Sequence, residues 1–287
     1  MNKFTDFFHN RNDLMQQRDD LIRQRDDLIR QRDDLIRQRD GLLNARPEDP
    51  IPAVLFNTLP KSASVFILET LAGTLGKPVV SISPGYFPRD QIDFRQFRKL
   101  IDSGAIAQSH LDASEFNQRY LKKIDKIVVQ FRDPRQATLS WLHHLERLSK
   151  ENQSDLIFTV TPDLPENYFR DDLAHKIDYQ LKHYLPQVLD WQCEWVRFID
   201  DSNEPERFML NSYEAFVANP NQYFASILGF LGCDMQKNIK ICEVTPTTEK
   251  NFRRGLTDEW RTVFSDLQIK TATAMIPPAL KARLGWL

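Results

Sequence analysis

Polar and apolar positions follow two different rhythms along this chain. Residues 18–24, 25–31 and 32–38 each read RDDLIRQ, and 39–45 (RDGLLNA) is a decayed fourth copy. With a period of seven, Leu21/Ile22, Leu28/Ile29 and Leu35/Ile36 return to nearly the same helix face every two turns. Asp19/Arg23, Asp26/Arg30 and Asp33/Arg37 are acid-before-base pairs four residues apart, each worth about 0.2–0.5 kcal/mol to a helix. A coiled-coil seam needs a second apolar residue three or four positions away, where this repeat has Arg25 or Arg32. The pattern predicts a long helical heptad-repeat extension over residues 1–46. Its half-built seam leaves two readings open, a solvated single helix or a homo-oligomer joined through that helix. Gly41 and the run Arg46-Pro47-Glu48-Asp49-Pro50-Ile51-Pro52 end the helix, and residues 47–52 form a stiff, proline-rich linker.

From residue 53 onward the rhythm changes. Short apolar runs at Ala53–Phe56, Pro78–Ile82, Ala105–Gln108, Lys126–Phe131 and Arg207–Leu210 have strand length. They alternate with helical patterns at Val65–Leu75, Pro134–Leu148, His175–Phe198 and Tyr223–Leu231. Strands separated by helices predict an α/β domain over 53–287, a P-loop-like parallel sheet flanked by helices and preceded by the long N-terminal helix. Residues 150–172 interrupt the alternation and are expected to form a lid or acceptor loop. Trp191, Trp195 and Phe198 recur at helical spacing and are expected in the core.

Composition narrows the function classes. Hydrophobic residues are 41% and charged residues 27% of the 287, which suits a cored globular chain. A net charge of −2 and a pI near 6.3 argue against a nucleic-acid partner while allowing a local basic pocket for a small anion. Cys193, Cys233 and Cys242 have no metal-ligand spacing and read as reduced thiols. No apolar run approaches the roughly 20 residues of a membrane span. The first residues lack the apolar core of a secretory signal, so a cytoplasmic location is expected. His143 and His144 are adjacent rather than four apart, and His175 and His183 read as surface groups. No metal is expected.

Candidate chemistry lies where strands end. The first strand runs into Asn57-Thr58-Leu59-Pro60-Lys61-Ser62-Ala63-Ser64-Val65-Phe66, which places a cation and hydroxyls at a helix N-terminus that favours anions. It is not a Walker A sequence. The strand Lys126–Phe131 runs into Arg132-Asp133-Pro134, with Asp133 suited to cap a helix and Pro134 to its first turn. Arg132 stands at the strand's C-terminal end, and Ser140 follows eight positions later. The planar fork of an arginine suits a terminal phosphate.

PKSAS after one strand and KIVVQFRDPRQATLS after another resemble the two nucleotide-binding segments of the cytosolic-type sulfotransferases, which use 3′-phosphoadenosine 5′-phosphosulfate (PAPS). Arg132 and Ser140 match that family's arginine-x-proline…serine spacing. Asn251-Phe252-Arg253-Arg254-Gly255-Leu256-Thr257-Asp258-Glu259-Trp260 is similar to its C-terminal phosphate loop. Ala107-Gln108-Ser109-His110-Leu111 resembles the segment of the catalytic histidine, and Asn211-Ser212-Tyr213-Glu214 the adenine-contacting segment. The motifs span roughly residues 51–265 in the family's order. Departures are Ala63 for a glycine, Phe66 for a tryptophan, Gln108 for a lysine, and Thr257-Asp258-Glu259 for a glycine-aspartate pair.

The resemblance implies sulfuryl transfer from PAPS as co-substrate to a hydroxyl on a small molecule, lipid or glycan, without metal. It implies catalytic roles for His110, as base, and for Lys61, at the bridging oxygen. Lys61, Ser62, Ala63, Ser64, Val65 and Phe66 would form the loop around the 5′ side. Arg132, Ser140, Arg253, Arg254 and Gly255 would hold the 3′-phosphate, and Tyr213 with Phe66 would contact adenine. Two alternatives stay open. One is an ATP-dependent kinase, disfavoured by the missing Walker A pattern and by an Arg132/Ser140 pair that suits a 3′-phosphate. The other is a nucleotide-binding, sulfotransferase-like module without catalysis.

Overall fold

A computed structural model describes residues 52–88, 90–233, 241 and 255–286. The heptad repeat, most of its linker, Cys242, Arg253 and Arg254 lie outside the described residues.

Five strands form one parallel sheet: β1 (Val54–Thr58), β2 (Val79–Val80), β3 (Ile106–Ser109), β4 (Lys126–Phe131) and β5 (Phe208–Ser212), in the order β2-β3-β1-β4-β5. Between them run α1 (Ser64–Leu75), α2 (Phe94–Ser103), α3 (Glu115–Leu121), α4 (Pro134–Lys150), α5 (Ser154–Val160) and α6 (Leu173–Asp200). After β5 come α7 (Tyr213–Ala218), α8 (Pro220–Phe230), α9 (Trp260–Val263), α10 (Asp266–Met275) and α11 (Pro278–Leu284). The expected α/β architecture is therefore the observed one.

Central strands need apolar side chains on both faces, because helices cover both sides of a parallel sheet. β1 is buried at all five positions, and the alternation of its side chains separates two cores. Leu55, Ile127, Val129 and Phe131 join α4 and α6 in the larger core. Val54, Phe56 and Val128 pack with Ile67, Leu68 and Leu71 of α1 and with Phe224, Ile227 and Leu228 of α8. Burying each such side chain contributes about 1.5–3 kcal/mol. The connection from β3 to β4 crosses over β1, so the carboxyl ends of β1 and β4 are adjacent, where open sheets of this kind bind ligands.

Several boundaries differ from those the sequence suggests. β2 contracts to two residues, since it pairs only with β3 at the sheet's edge. β5 runs on to Ser212 because β4 pairs with it through Phe131↔Ser212. Residues 150–172 are not a structureless loop: they hold α5 and a 3₁₀ turn at Tyr168–Arg170. Tyr168 is core, its hydroxyl accepting from Gln180 Nε2 at 2.8 Å, whereas Phe158 stands 70% exposed. Trp191 and Trp195 are buried in α6, as their spacing suggests. Among the described residues no helix is long and apolar enough to cross a membrane.

Candidate active site

The β1–α1 loop bends through two left-handed residues, Lys61 (φ +64°) and Ala63 (φ +59°). That geometry costs a non-glycine residue about 1–2 kcal/mol, so surrounding contacts must impose it. Three contacts do. Gln130, buried at the end of β4, donates to the Ser62 carbonyl and accepts from the Tyr223 hydroxyl. Arg132 donates through Nη1 to the Lys61 carbonyl. Ala63 then opens α1, its carbonyl accepting from Ile67 N at 3.0 Å, with no side-chain cap.

Arg132 is 4% exposed and links the loop to the C-terminal segment, since its Nη2 lies 3.4 Å from the Leu256 carbonyl. Its guanidinium lies 4.1 Å over the Tyr213 ring, a cation–π contact. A carboxylate that could have claimed it is taken: Asp133 caps α4 and binds the Arg135 fork, with Oδ2 2.7 Å from Nη2. Arg135 in turn stacks 3.9 Å from Trp260, whose amide donates to Gln136 at 3.2 Å. The second and third sequence motifs are thus packed together. Buried donors are left over in this arrangement, for neither Ser62 Oγ nor Arg132 Nε has a hydrogen-bond partner. Such atoms normally find partners, and two orphaned donors beside a lysine fit a phosphate-bearing ligand.

Charge at the loop tells the same story. Burial first, and then the Arg147 and Arg132 guanidiniums, bring the Lys61 ammonium down to about 8. His144 falls to about 3, through burial first and then the charges of Lys61 and Arg147. Arg147 is held on the outer side by Glu151 at 3.1 Å and lies 3.2 Å from His144 Nδ1. Arg147 and Arg132 both repel Lys61, and an anion at the loop would relieve that repulsion.

His110 follows the C-terminal end of β3. Its Nδ1 is 2.6 Å from the Thr58 carbonyl at the end of β1. A carbonyl can only accept, so Nδ1 carries the proton and Nε2 keeps its lone pair as an acceptor. Burial lowers the imidazole pKa, while the Thr58 hydrogen bond and the Asp90 charge push it back up. Gln108 Nε2 makes a long contact of 3.4 Å with His110 Nε2, and Tyr86 meets the ring edge-on at 5.1 Å. The next residue is clamped: the Leu111 carbonyl accepts from Trp191 Nε1 (2.6 Å), Trp195 Nε1 (2.8 Å) and Asn57 Nδ2 (3.0 Å).

Lys61, Ser62, Arg132, Tyr213 and Leu256, the neighbour of Gly255, therefore form one contact set, and His110 joins it through Thr58, three residues before Lys61. Gly255 is left-handed at φ +66°. Ser64 and Val65 occupy the first turn of α1, where Val65 is 45% exposed. Phe66 and Tyr213 both neighbour Phe216, with ring centroids 5.9 and 6.3 Å from it. Ser140 is half-buried in α4. Arg253 and Arg254 lie outside the described residues. Sequence reasoning missed Asp90, Arg147 and Tyr86 and set His144 aside. Arg147 is three residues after His144 within the helix already read over Pro134–Leu148, a spacing that puts the pair on one face. Asp90 has no such signal. Among the described residues no cluster of three or more His, Cys, Asp or Glu could hold a metal.

Comparison with known proteins gives the family and the fold. Residues 56–282 match the family "Sulfotransferase domain". No curated protein sequence matches the chain. Among solved structures, a mouse sulfotransferase complexed with PAP is 17% identical, over 82% of this chain and 86% of that one, with a TM-score of 0.53. At that identity the likeness is one of fold. Retinol dehydratase, in complex with androsterone and the inactive cofactor PAP, is 16% identical over 83% of each chain, with a TM-score of 0.48, too low to add to the argument. The domain match, covering most of the sequence, decides the matter: this chain belongs to the sulfotransferase domain family.

Proposed function

We propose that this protein transfers a sulfuryl group from PAPS to an acceptor hydroxyl, using His110 as the base and Lys61 at the leaving oxygen. The observation that carries the proposal is the convergence on Arg132. That one buried fork joins the Lys61 carbonyl to the Leu256 carbonyl, beside a Ser62 hydroxyl without a partner. PAP, which the mouse structure contains, is the desulfated form of the same nucleotide, and its fold is shared by this chain.

The co-substrate supplies the sulfuryl group and a phosphate leaving group. The chain's residues do the rest. Ser62, Ser64 and the loop 61–66 hold the 5′ side, and Arg132 with Ser140, Gly255, Arg253 and Arg254 holds the 3′-phosphate. Phe66 and Tyr213 face the adenine. His110 Nε2, with its lone pair kept by the Thr58 contact, takes the acceptor's hydroxyl proton. Lys61 sets a positive charge where negative charge grows on the leaving oxygen. Its lowered pKa fits a group that regains its full charge once an anion is beside it.

Labelled-sulfate transfer from PAPS to a panel of phenols, lipid alcohols and glycans tests this reading. His110→Ala should lower the rate by about 10²–10⁴-fold while calorimetry shows adenosine 3′,5′-bisphosphate still bound and ATP not. Tight ATP binding without binding of the bisphosphate would return the loop to the kinase reading.

A further inference from the structure

Asp90 is the most deeply buried carboxylate described, at 1% exposure, on the segment between β2 and α2. Taking a carboxylate out of water costs several kcal/mol unless hydrogen bonds replace the solvent. Its Oδ2 accepts from Ser109 Oγ (2.7 Å), Ser83 Oγ (2.8 Å) and the His110 amide (3.3 Å). The two hydroxyls also touch each other at 2.9 Å. Asn117 ties this segment to the residues after His110, donating to the Asp90 carbonyl at 2.9 Å and to Asp112 Oδ1 at 2.7 Å. On the other side Oδ1 is buried without a hydrogen-bond partner. Gly85 makes room for it, since a Cβ there would sit 2.9 Å away.

We propose that Asp90 is the positioning residue for His110, holding the backbone from which the imidazole springs and setting a negative charge near the ring. The inference rests on the reading of His110 as base. A merely structural capping residue would do the first task, and an asparagine would serve as well. The second task needs the charge, because a carboxylate stabilises the imidazolium that forms when the acceptor's proton arrives. Three titratable groups bear on the ring. Asp90 acts through its charge, Tyr86 packs against the ring at 5.1 Å, and Lys61 stands further along the β1–α1 loop. Burial holds the Tyr86 phenol up to about 12, so it stays neutral and contributes no charge. Asp90 is thus the anion that acts on His110.

The test combines imidazole NMR of the full-length protein with transfer kinetics in Asp90→Asn. The expected result is a His110 titration midpoint displaced to lower pH, with Nδ1 still protonated. The acid limb of the kcat profile should move the same way, and plateau kcat should drop on the order of tenfold, since a less basic imidazole is a poorer proton acceptor. Affinity for adenosine 3′,5′-bisphosphate should stay within about twofold, because Asp90 touches none of the loop that would hold it. An unchanged His110 titration and kcat profile in folded Asp90→Asn overturns the inference. If that variant does not fold, Gly85→Ala, which crowds Oδ1 but keeps the charge, should displace the His110 resonances, and unmoved resonances there overturn it too. Should His110→Ala retain full activity, the base reading falls, while the NMR titration still judges what Asp90 does to the ring.

Discussion

Lys61 is half of the proposed catalytic pair, and its ammonium titrates near the working pH of most enzymes. With a pKa of about 8 in the free protein, roughly half of Lys61 is uncharged at pH 8 and about nine-tenths at pH 9. A bound polyanion favours the charged form and restores the pKa toward that of a free lysine. Affinity for adenosine 3′,5′-bisphosphate should therefore fall by a factor of about 1 + 10^(pH − 8) as pH rises. From pH 7 to pH 9 that is about tenfold, or about 1.4 kcal/mol. Phosphate groups have second pKa values near 6, so the ligand's own ionisation is already about nine-tenths complete at pH 7. Calorimetry in buffers of different ionisation enthalpy adds a second measure, with close to one proton taken up per ligand bound at pH 9. Lys61→Met should bind more weakly at pH 7 and lose the pH dependence. Flat wild-type affinity to pH 9.5, or a Lys61→Met profile as steep as the wild type's, would refute the assignment of this lysine to the anion seat.

Two more substitutions probe the scaffold around the seat. Arg132→Lys keeps the charge but loses the fork that reaches both the Lys61 and Leu256 carbonyls, so bisphosphate affinity should fall at least about tenfold by calorimetry. Ala63→Gly removes the left-handed penalty of about 1–2 kcal/mol and returns about 0.4–1 kcal/mol as unfolded-state entropy. Its net gain of about 0.5–1 kcal/mol should appear as a Tm about 1–2 °C higher, and a lower Tm would show that the methyl's packing matters more than its strain.

How much of this was legible in the chain can be judged from particular residues. The parallel sheet was, because β1 and β4 are short apolar runs that only a doubly covered strand requires, and the punctuation Asp133-Pro134 marked the start of α4 to the residue. Lys61, Arg132 and His110 were legible as motif residues. Their meeting was not, since 71 residues separate Arg132 from the carbonyl it holds and 52 separate His110 from Thr58.

Local preference and periodicity act over a few residues, and so the sequence alone determined the five strand segments, the helices α1, α4, α6 and α8, and which strand ends carry cations. Tertiary structure decided what those cations feel. The crossing of β3 to β4 over β1 brings two strand ends side by side, and burial there sets Lys61 near 8 and His144 near 3, shifts that depend on neighbours far apart in the chain. Asp90 belongs wholly to this second kind. Nothing in its local sequence distinguishes it from a surface aspartate, and only folding places its carboxylate under Ser83, Ser109 and the His110 amide, where a charge acts at short range through protein rather than through water.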